Sequence, residues 1–263
     1  MKVTVCQLHN AGGAFAADWD RLTAHVRSER SDLVLLPEMP FYPWFPTSRH
    51  FDAEVWKAAL DAHDLWEKRL PELAPALPLA TRPIDFGNVR YNAGFIWQEG
   101  ESLIETIHVK CCVSSQEGAW ESVWYTGAVP DFETVSVASG RVRVGMLIGL
   151  ELWMPEQARL YGLDGAQVIA IPRGDSSPDK DPEGANEWLS GCIAAAKAAE
   201  AYCISSSRGI HGSGVGGPGW VISPQGEVLA TTSGKRPFST VEIDVDAMAQ
   251  RARVPSIKTA PLG

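Results

Sequence analysis

RVRVGMLIGLELWMPEQARLYGLDGAQVIAIPR, Arg141–Arg173, contains a strand, a sharp corner, a helix and a second strand in immediate succession. The first strand, Val142 to Ile148, is apolar and rich in β-branched residues. It stops abruptly, and Glu151, Trp153, Pro155 and Glu156 open a helix that runs from Pro155 to Leu163. Gln167 to Ile171 is the second apolar strand. A strand-to-helix corner lifts one residue above the sheet and is a common place to display a reactive side chain. Here that place falls to Gly149, which offers only a hydrogen atom.

The same alternation extends in both directions. Lys2 to Gln7 reads as a strand, and Asp18 to Glu29 as an amphipathic helix with Leu22, His25 and Val26 on one face. Asp32 to Leu36 is short and almost wholly apolar, as in a sheet covered on both sides. A helix is expected from Ala53 to Leu73, then strands at Leu77–Ala80, Asn92–Gln98 and Ser102–His108, the last two joined by a turn at Glu99-Gly100. Beyond the corner, Ala-rich Asn186–Glu200 is helical. Strands follow at Tyr202–Ser206, Gly219–Ile222, Val228–Thr232 and Ser239–Ile243, with a turn at Ser223–Gly226. The pattern predicts one α/β domain over residues 1–263, helices outside and sheets inside.

Composition narrows the function. The net charge is −9 with no basic stripe, which argues against nucleic acid, since phosphate contacts need clustered Lys and Arg. Met1–Asn10 is a short alternating strand, not a secretory leader, and no run approaches the roughly 18 apolar residues of a membrane span. Five cysteines, an odd number, suit a reducing cytoplasm better than a disulfide framework. None has metal-ligand spacing, because Cys111 and Cys112 are adjacent and no CxxC occurs. Neither a metal nor another cofactor is expected. The glycine run His211–Gly219 lacks phosphate-loop spacing and reads as a surface or pocket-rim loop.

Three charged residues stand where chemistry is usually placed. Glu38 follows the Asp32–Leu36 strand and is ringed by Met39, Phe41, Tyr42 and Trp44, an environment that raises a carboxyl pKa and suits a general base. A salt-bridge partner or helix-terminal acid is the plainer reading. Lys110 ends the strand Ser102–Val109, where solvated lysines are common. Glu121 sits among Trp120, Trp124 and Tyr125, and a carboxylate there needs a partner.

In combination these segments are informative. LPEMPFYPW (Leu36–Trp44), the HVK strand end (His108–Lys110), EGAWESVWY (Glu117–Tyr125), GMLIGLELWMPEQAR (Gly145–Arg159), GAQVIAIPR (Gly165–Arg173), AYCISSSRG (Ala201–Gly209) and GWVISPQGEVLA (Gly219–Ala230) occur in that order over nearly the whole chain. In them the chain resembles the nitrilase superfamily of carbon–nitrogen hydrolases. The resemblance implies a four-layer α-β-β-α sandwich, assembly to a homodimer or higher homo-oligomer through Trp153–Gly162, and action on a small-molecule amide, carbamoyl compound or nitrile. It implies a general base at Glu38, an oxyanion-stabilising lysine at Lys110, a supporting glutamate at Glu121 and a nucleophilic cysteine at the position of Gly149. Base, cation and thiol together divide C–N cleavage into two easier steps.

The chain departs from the family at Gly149 and again at KCCVSSQEG (Lys110–Gly118). Cys111 or Cys112 could serve as a relocated nucleophile, although adjacent strand-end side chains point apart and only one could face the pocket. Cys6, Cys192 and Cys203 read as small buried hydrophobes. Three functions fit: a hydrolase whose thiol has been deliberately removed, a natural member that uses Glu38 and Lys110 for acid–base chemistry such as cyclisation or condensation, and a ligand-binding scaffold. Tyr42, Trp44, Trp124, Glu151, Trp153 and Arg173 are the candidate substrate-binding residues. For Arg173, pairing with Glu151 or Glu156 is an equal alternative to holding a ligand carboxylate.

Overall fold

The computed structural model describes residues 1–9, 12–98, 105–117, 119–138, 140–174, 182–208 and 217–251. The Glu99-Gly100 turn, the start of the strand expected from Ser102 and most of the His211–Gly219 run lie outside the described residues.

The elements in chain order are β1 (Lys2–Leu8), α1 (Gly12–Glu29), β2 (Leu33–Leu35), α2 (Ala53–Trp66), β3 (Leu77–Phe86), β4 (Val89–Ile96), β5 (Glu105–Val109), α3 (Glu121–Trp124), β6 (Val135–Val137), β7 (Val142–Met146), α4 (Pro155–Leu163), β8 (Val168–Pro172), α5 (Pro182–Ala199), β9 (Tyr202–Arg208), β10 (Trp220–Ile222), β11 (Val228–Thr231), β12 (Phe238–Glu242) and α6 (Val245–Arg251). Two 3₁₀ segments, Glu67–Leu73 and Gly149–Trp153, continue α2 and precede α4. The first is where the single helix expected over Ala53–Leu73 tightens, at Pro71, which has no N–H for an α-helical ladder.

Hydrogen bonding runs β5-β4-β3-β2-β1-β9-β8-β7-β6, with β12 on β1 and the β10–β11 hairpin on β9. Among the described residues β1 and β9 share two registered pairs, Gln7 with Ser207 and Leu8 with Arg208, and the two halves of the path meet at that seam. The period-two alternation of each strand then assigns its side chains to layers. Val3, Val5, Leu33 and Leu35 from one half meet Val144, Met146, Val168, Ala170 and Ile204 from the other in the central core. Their outward neighbours Cys6, Leu8, Val34 and Leu36 pack under α1, with Trp19, Leu22 and Val26. Ile169, Ile171 and Cys203 pack under α4 and α5, with Tyr161, Ala195 and Ala196. Helices on both outer faces of two facing sheets make a four-layer α-β-β-α sandwich.

This topology gathers one set of strand ends. β1, β2 and β3 are parallel, and β5 shares their direction because β4 is antiparallel to both neighbours. β7, β8 and β9 are likewise parallel. The residues just beyond β2, β5, β7 and β8 are therefore brought to one end of the sandwich. No helix among the described residues is long and apolar enough to cross a membrane.

Candidate functional site

Glu38, Lys110 and Glu121 form one buried cluster, 1%, 0% and 4% exposed respectively. Lys110 Nζ donates to Glu38 Oε1 at 2.9 Å and to Glu121 Oε1 at 2.6 Å, so two of its three protons go to carboxylates. Three further donors fix the acids. Asn92 Nδ2 donates to Glu38 Oε1 (2.7 Å), Gly174 N to Glu38 Oε2 (2.9 Å) and Ser114 N to Glu121 Oε2 (3.0 Å). The Tyr125 hydroxyl lies beside Glu121 and Asn92 without a hydrogen bond of normal geometry, and Asn92 Oδ1 is also buried without a partner.

The backbone that carries Glu38 is held from both sides. Glu38 N donates to Arg173 O at 3.1 Å. Met39 takes a left-handed φ of 43°, a conformation that costs a non-glycine residue about 1 kcal/mol or more. Its N–H reaches Thr81 Oγ1 at 2.8 Å. From β9, the Arg208 guanidinium donates to the carbonyls of Glu38, Met39 and Tyr42. A planar, five-donor group suits several carbonyls at once.

Burial pushes the Glu38 carboxyl above its ordinary range, and neighbouring Glu121 adds to this, against the opposing pull of Lys110. Burial alone would lower the Lys110 ammonium, but Glu121 and Glu38 outweigh it and raise it. Lys110 is thus a fixed cation, and Glu38 a carboxyl with unusual affinity for a proton.

Gly149 closes the cluster. Its φ is +56°, and a Cβ there would lie 2.8 Å from Glu38 Oε2 and 3.1 Å from Lys110 Nζ. The corner therefore aims position 149 directly at the acid and the cation. Two residues on, Glu151 is wholly buried and acts as a brace. One oxygen accepts from Cys111 N (2.6 Å); the other accepts from Ile148 N (2.7 Å) and lies 2.8 Å from His108 Nε2. Burial would raise its pKa, but His108 and the two backbone N–H groups outweigh that and hold it low.

A family model described as carbon-nitrogen hydrolase matches residues 2–253. The chain belongs to the carbon–nitrogen hydrolase family. Solved structures with the same fold include a carbon-nitrogen hydrolase from Helicobacter pylori, 19% identical over 96% of this chain and 92% of that one, with a TM-score of 0.77. An amidase of the nitrilase superfamily from Nesterenkonia, solved as a cysteine-to-serine mutant, is 18% identical over 95% of this chain and 94% of that one, TM-score 0.71. A second form of that amidase, with an acetamide moiety covalently added at its active-site cysteine, is 17% identical over 96% and 94%, TM-score 0.72. No curated protein matches the chain.

Within this member of the carbon–nitrogen hydrolase family the other residues named from sequence lie in different environments. Trp44 is half-buried, stacks on the Gly174 backbone and carries the Arg208 guanidinium 5.2 Å over its ring. Tyr42 is half-buried against Phe45. Both adjoin the Glu38 loop. Trp124 belongs instead to a core with Met39, Phe45 and Trp56, its indole N–H donating to Ser48 O. Trp153 is 45% exposed and rests on Trp188 of α5. Glu151, as the brace, has both oxygens engaged. Arg173 forms no ion pair with Glu151 or Glu156; it donates to Ser205 Oγ (2.8 Å) and Pro218 O, with Trp220 and Trp188 flanking its guanidinium. Burial lowers its pKa to about 10.

The cysteines also sort by place. Cys6, Cys192 and Cys203 are buried. Cys111 and Cys112 do not diverge as strand alternation implies, because β5 has already ended at Val109 and their sulfurs lie 3.5 Å apart. They face Met154 and Gln157 on the α4 side of Glu151. Asn92 and Arg208 were missed in the sequence. For Asn92 the available signal was a polar residue inside a strand between Tyr91 and Ala93, which carries a cost unless it is paired; Arg208, at the end of β9 after three serines, offered no such signal.

Proposed function

We propose that this end of the sandwich binds a small-molecule amide, carbamoyl compound or nitrile, and that Gly149 occupies the position at which a hydrolytic relative presents its thiol. The observation that carries the reading is the 2.8 Å and 3.1 Å approach of the missing Cβ to Glu38 and Lys110. A thiol on that Cβ would have a proton acceptor and a cation as immediate neighbours, the arrangement that activates a nucleophile and stabilises the charge developing on a tetrahedral intermediate. Without it, Lys110 polarises the ligand's oxygen or nitrogen and Glu38 exchanges protons with it, but no thioester forms and C–N hydrolysis is abolished. Asn92 Oδ1 and the Tyr125 hydroxyl, buried with no well-formed hydrogen bond among the described residues, are further polar contacts for such a ligand.

A second reading, proton-transfer chemistry without a covalent intermediate, is favoured by the raised proton affinity of Glu38. The two separate on one pair of assays over a panel of amides, carbamoyl compounds and nitriles. In the first reading Gly149→Cys releases ammonia in a burst and gains an acyl mass adduct, while the chain as written is inert. In the second the chain as written turns substrate over, and Glu38→Gln abolishes that turnover. Inertness in both assays, with ligand binding unchanged, refutes both and leaves a scaffold. Assembly to a homodimer is part of the proposal: Trp153, Leu160 and Leu163 present exposed apolar surface along α4. A Leu163→Asp chain that sediments at the same mass as the parent refutes that face.

A further inference from the structure

Beside Glu151, the sulfurs of Cys111, Cys112 and Met154 lie close together. Cys111 and Cys112 follow β5, and Met154 precedes α4. The Cys111 and Cys112 sulfurs are 3.5 Å apart, and the Cys112 thiol lies 2.9 Å from Met154 Sδ. Gln157, 4% exposed, directs its amide at the same point, with Nε2 2.9 Å from Met154 Sδ and 3.8 and 3.7 Å from the two thiols. Its Oε1 is buried with no partner. Both cysteines are half-buried, so the cluster is within reach of solvent.

We propose that Cys111, Cys112 and Met154 form a binding site for a soft monovalent metal ion, copper(I). Ligand chemistry makes the selection: thiolate and thioether together favour copper(I), whereas carboxylate and water suit hard cations. Zinc prefers four ligands and commonly includes nitrogen or oxygen donors. The nearest carboxylate, Glu151, comes within 4.8 Å of both thiols, but its oxygens already serve Cys111 N, Ile148 N and His108.

Geometry agrees. Three sulfurs about 2.3 Å from a shared ion in a trigonal arrangement stand about 4.0 Å apart. The cysteine pair, at 3.5 Å, is about 0.5 Å short of that. Met154 must retreat by about 1.1 Å from Cys112, a movement within the reach of a flexible thioether side chain. Binding replaces two S–H bonds by two metal–thiolate bonds and releases two protons, while the thioether donates a lone pair and releases none. The N-terminal end of α4, directly after Met154, favours the anionic complex.

The site adjoins Lys110 in the chain, and Glu151 ties Cys111 to the corner that holds Gly149. The inference stands on the sulfur geometry and does not depend on the proposed reaction.

The test is an anaerobic titration of the full, reduced chain with copper(I) buffered by bicinchoninate. Expected are one equivalent bound, two protons released, Cys111 and Cys112 protected from iodoacetamide in the peptide map, and no displacement by a hundredfold excess of zinc. Cys111→Ser/Cys112→Ser abolishes binding. Met154→Leu, a nearly volume-conserving change of the kind a core tolerates best, weakens it roughly tenfold or more. Stoichiometric binding that persists in the double serine variant, protection of Cys6, Cys192 or Cys203 instead, unchanged affinity in Met154→Leu, or displacement by zinc would each overturn the assignment.

Discussion

Gly149→Ala places a single methyl group into the carboxylate cluster, and its cost can be worked from the geometry. The backbone at φ +56° penalises any residue with a Cβ by about 1 kcal/mol or more. The added carbon would stand 2.8 Å from Glu38 Oε2, against an ordinary contact of at least 3.4 Å. Glu38 cannot yield freely, because Gly174 N holds that oxygen and Asn92 with Lys110 hold the other. Overpacking of this kind costs about 1–3 kcal/mol. The sum is about 2–4 kcal/mol, a large part of a typical folding stability. Urea denaturation should therefore show the midpoint lowered by about 1–2 M with m near 2 kcal/mol/M and unchanged. Adding Glu38→Ala should make the double variant less destabilised than the two singles sum to, because the overlap disappears. A midpoint shift under about 0.3 M for Gly149→Ala, or strict additivity in the cycle, refutes the reasoning that Glu38 is pinned against this glycine.

Lys110→Met keeps most of the side-chain volume but leaves Glu38 and Glu121 facing each other unpaired; a loss of about 3–5 kcal/mol is expected in urea denaturation. Adding Glu121→Gln should recover part of it, and no recovery would contradict the charge argument. Arg208→Lys cannot reach the carbonyls of Glu38, Met39 and Tyr42 together and should cost about 1–3 kcal/mol, with faster amide exchange at Met39. Burial holds His63 at about 3, below its ordinary 6.5. As pH falls below 6.5 the unfolded chain takes up this proton first, so stability is lost from there down to about 3. At pH 5 the loss is about 2 kcal/mol. His63→Phe should remove that component, and an equal stability drop from pH 7.5 to 5 in both chains would refute it.

The strands that face the central core were legible from the apolar, largely β-branched residues they turn toward it: β1, β2, β7, β8 and β9 fall within two residues of their expected bounds. β3 was not legible in full. It runs six residues beyond Ala80, through Pro83 to the exposed Asp85 and Phe86, because cross-strand pairing with β4 around Gly87 continues after the apolar run has ended. Hydrophobic pattern reports burial, and this hairpin is sustained by its partner strand. The candidate site divides similarly. Strand position and aromatic surroundings singled out Glu38, Lys110 and Glu121, which the fold brings into contact. The same reasoning could not separate Trp44, at the Glu38 loop, from Trp124 in a core or Trp153 on the surface, since proximity in sequence does not say which wall an indole faces. Arg173 and Glu151 satisfy their charges on backbone atoms and a histidine, partners with no signature in residue type.

The two-pair seam between β1 and β9 has a mechanical consequence. Gln7, Leu8, Ser207 and Arg208 lie at the same end of the sandwich as Glu38, which Arg208 grips through its carbonyl. A hinge placed there has almost no lever arm to the carboxylate cluster and a long one to the opposite end. A relative motion of the two sheets about that seam would be felt least at Glu38, Lys110 and Gly149 and most at the opposite end, where a cleft of about 290 Å³ lies between Met1, Asp32, Leu77, Arg141 and Val245 and Gln167 Nε2 donates across to Val245 O. The carboxylate cluster sits beside the seam, and the cleft lies at the far end of the sandwich.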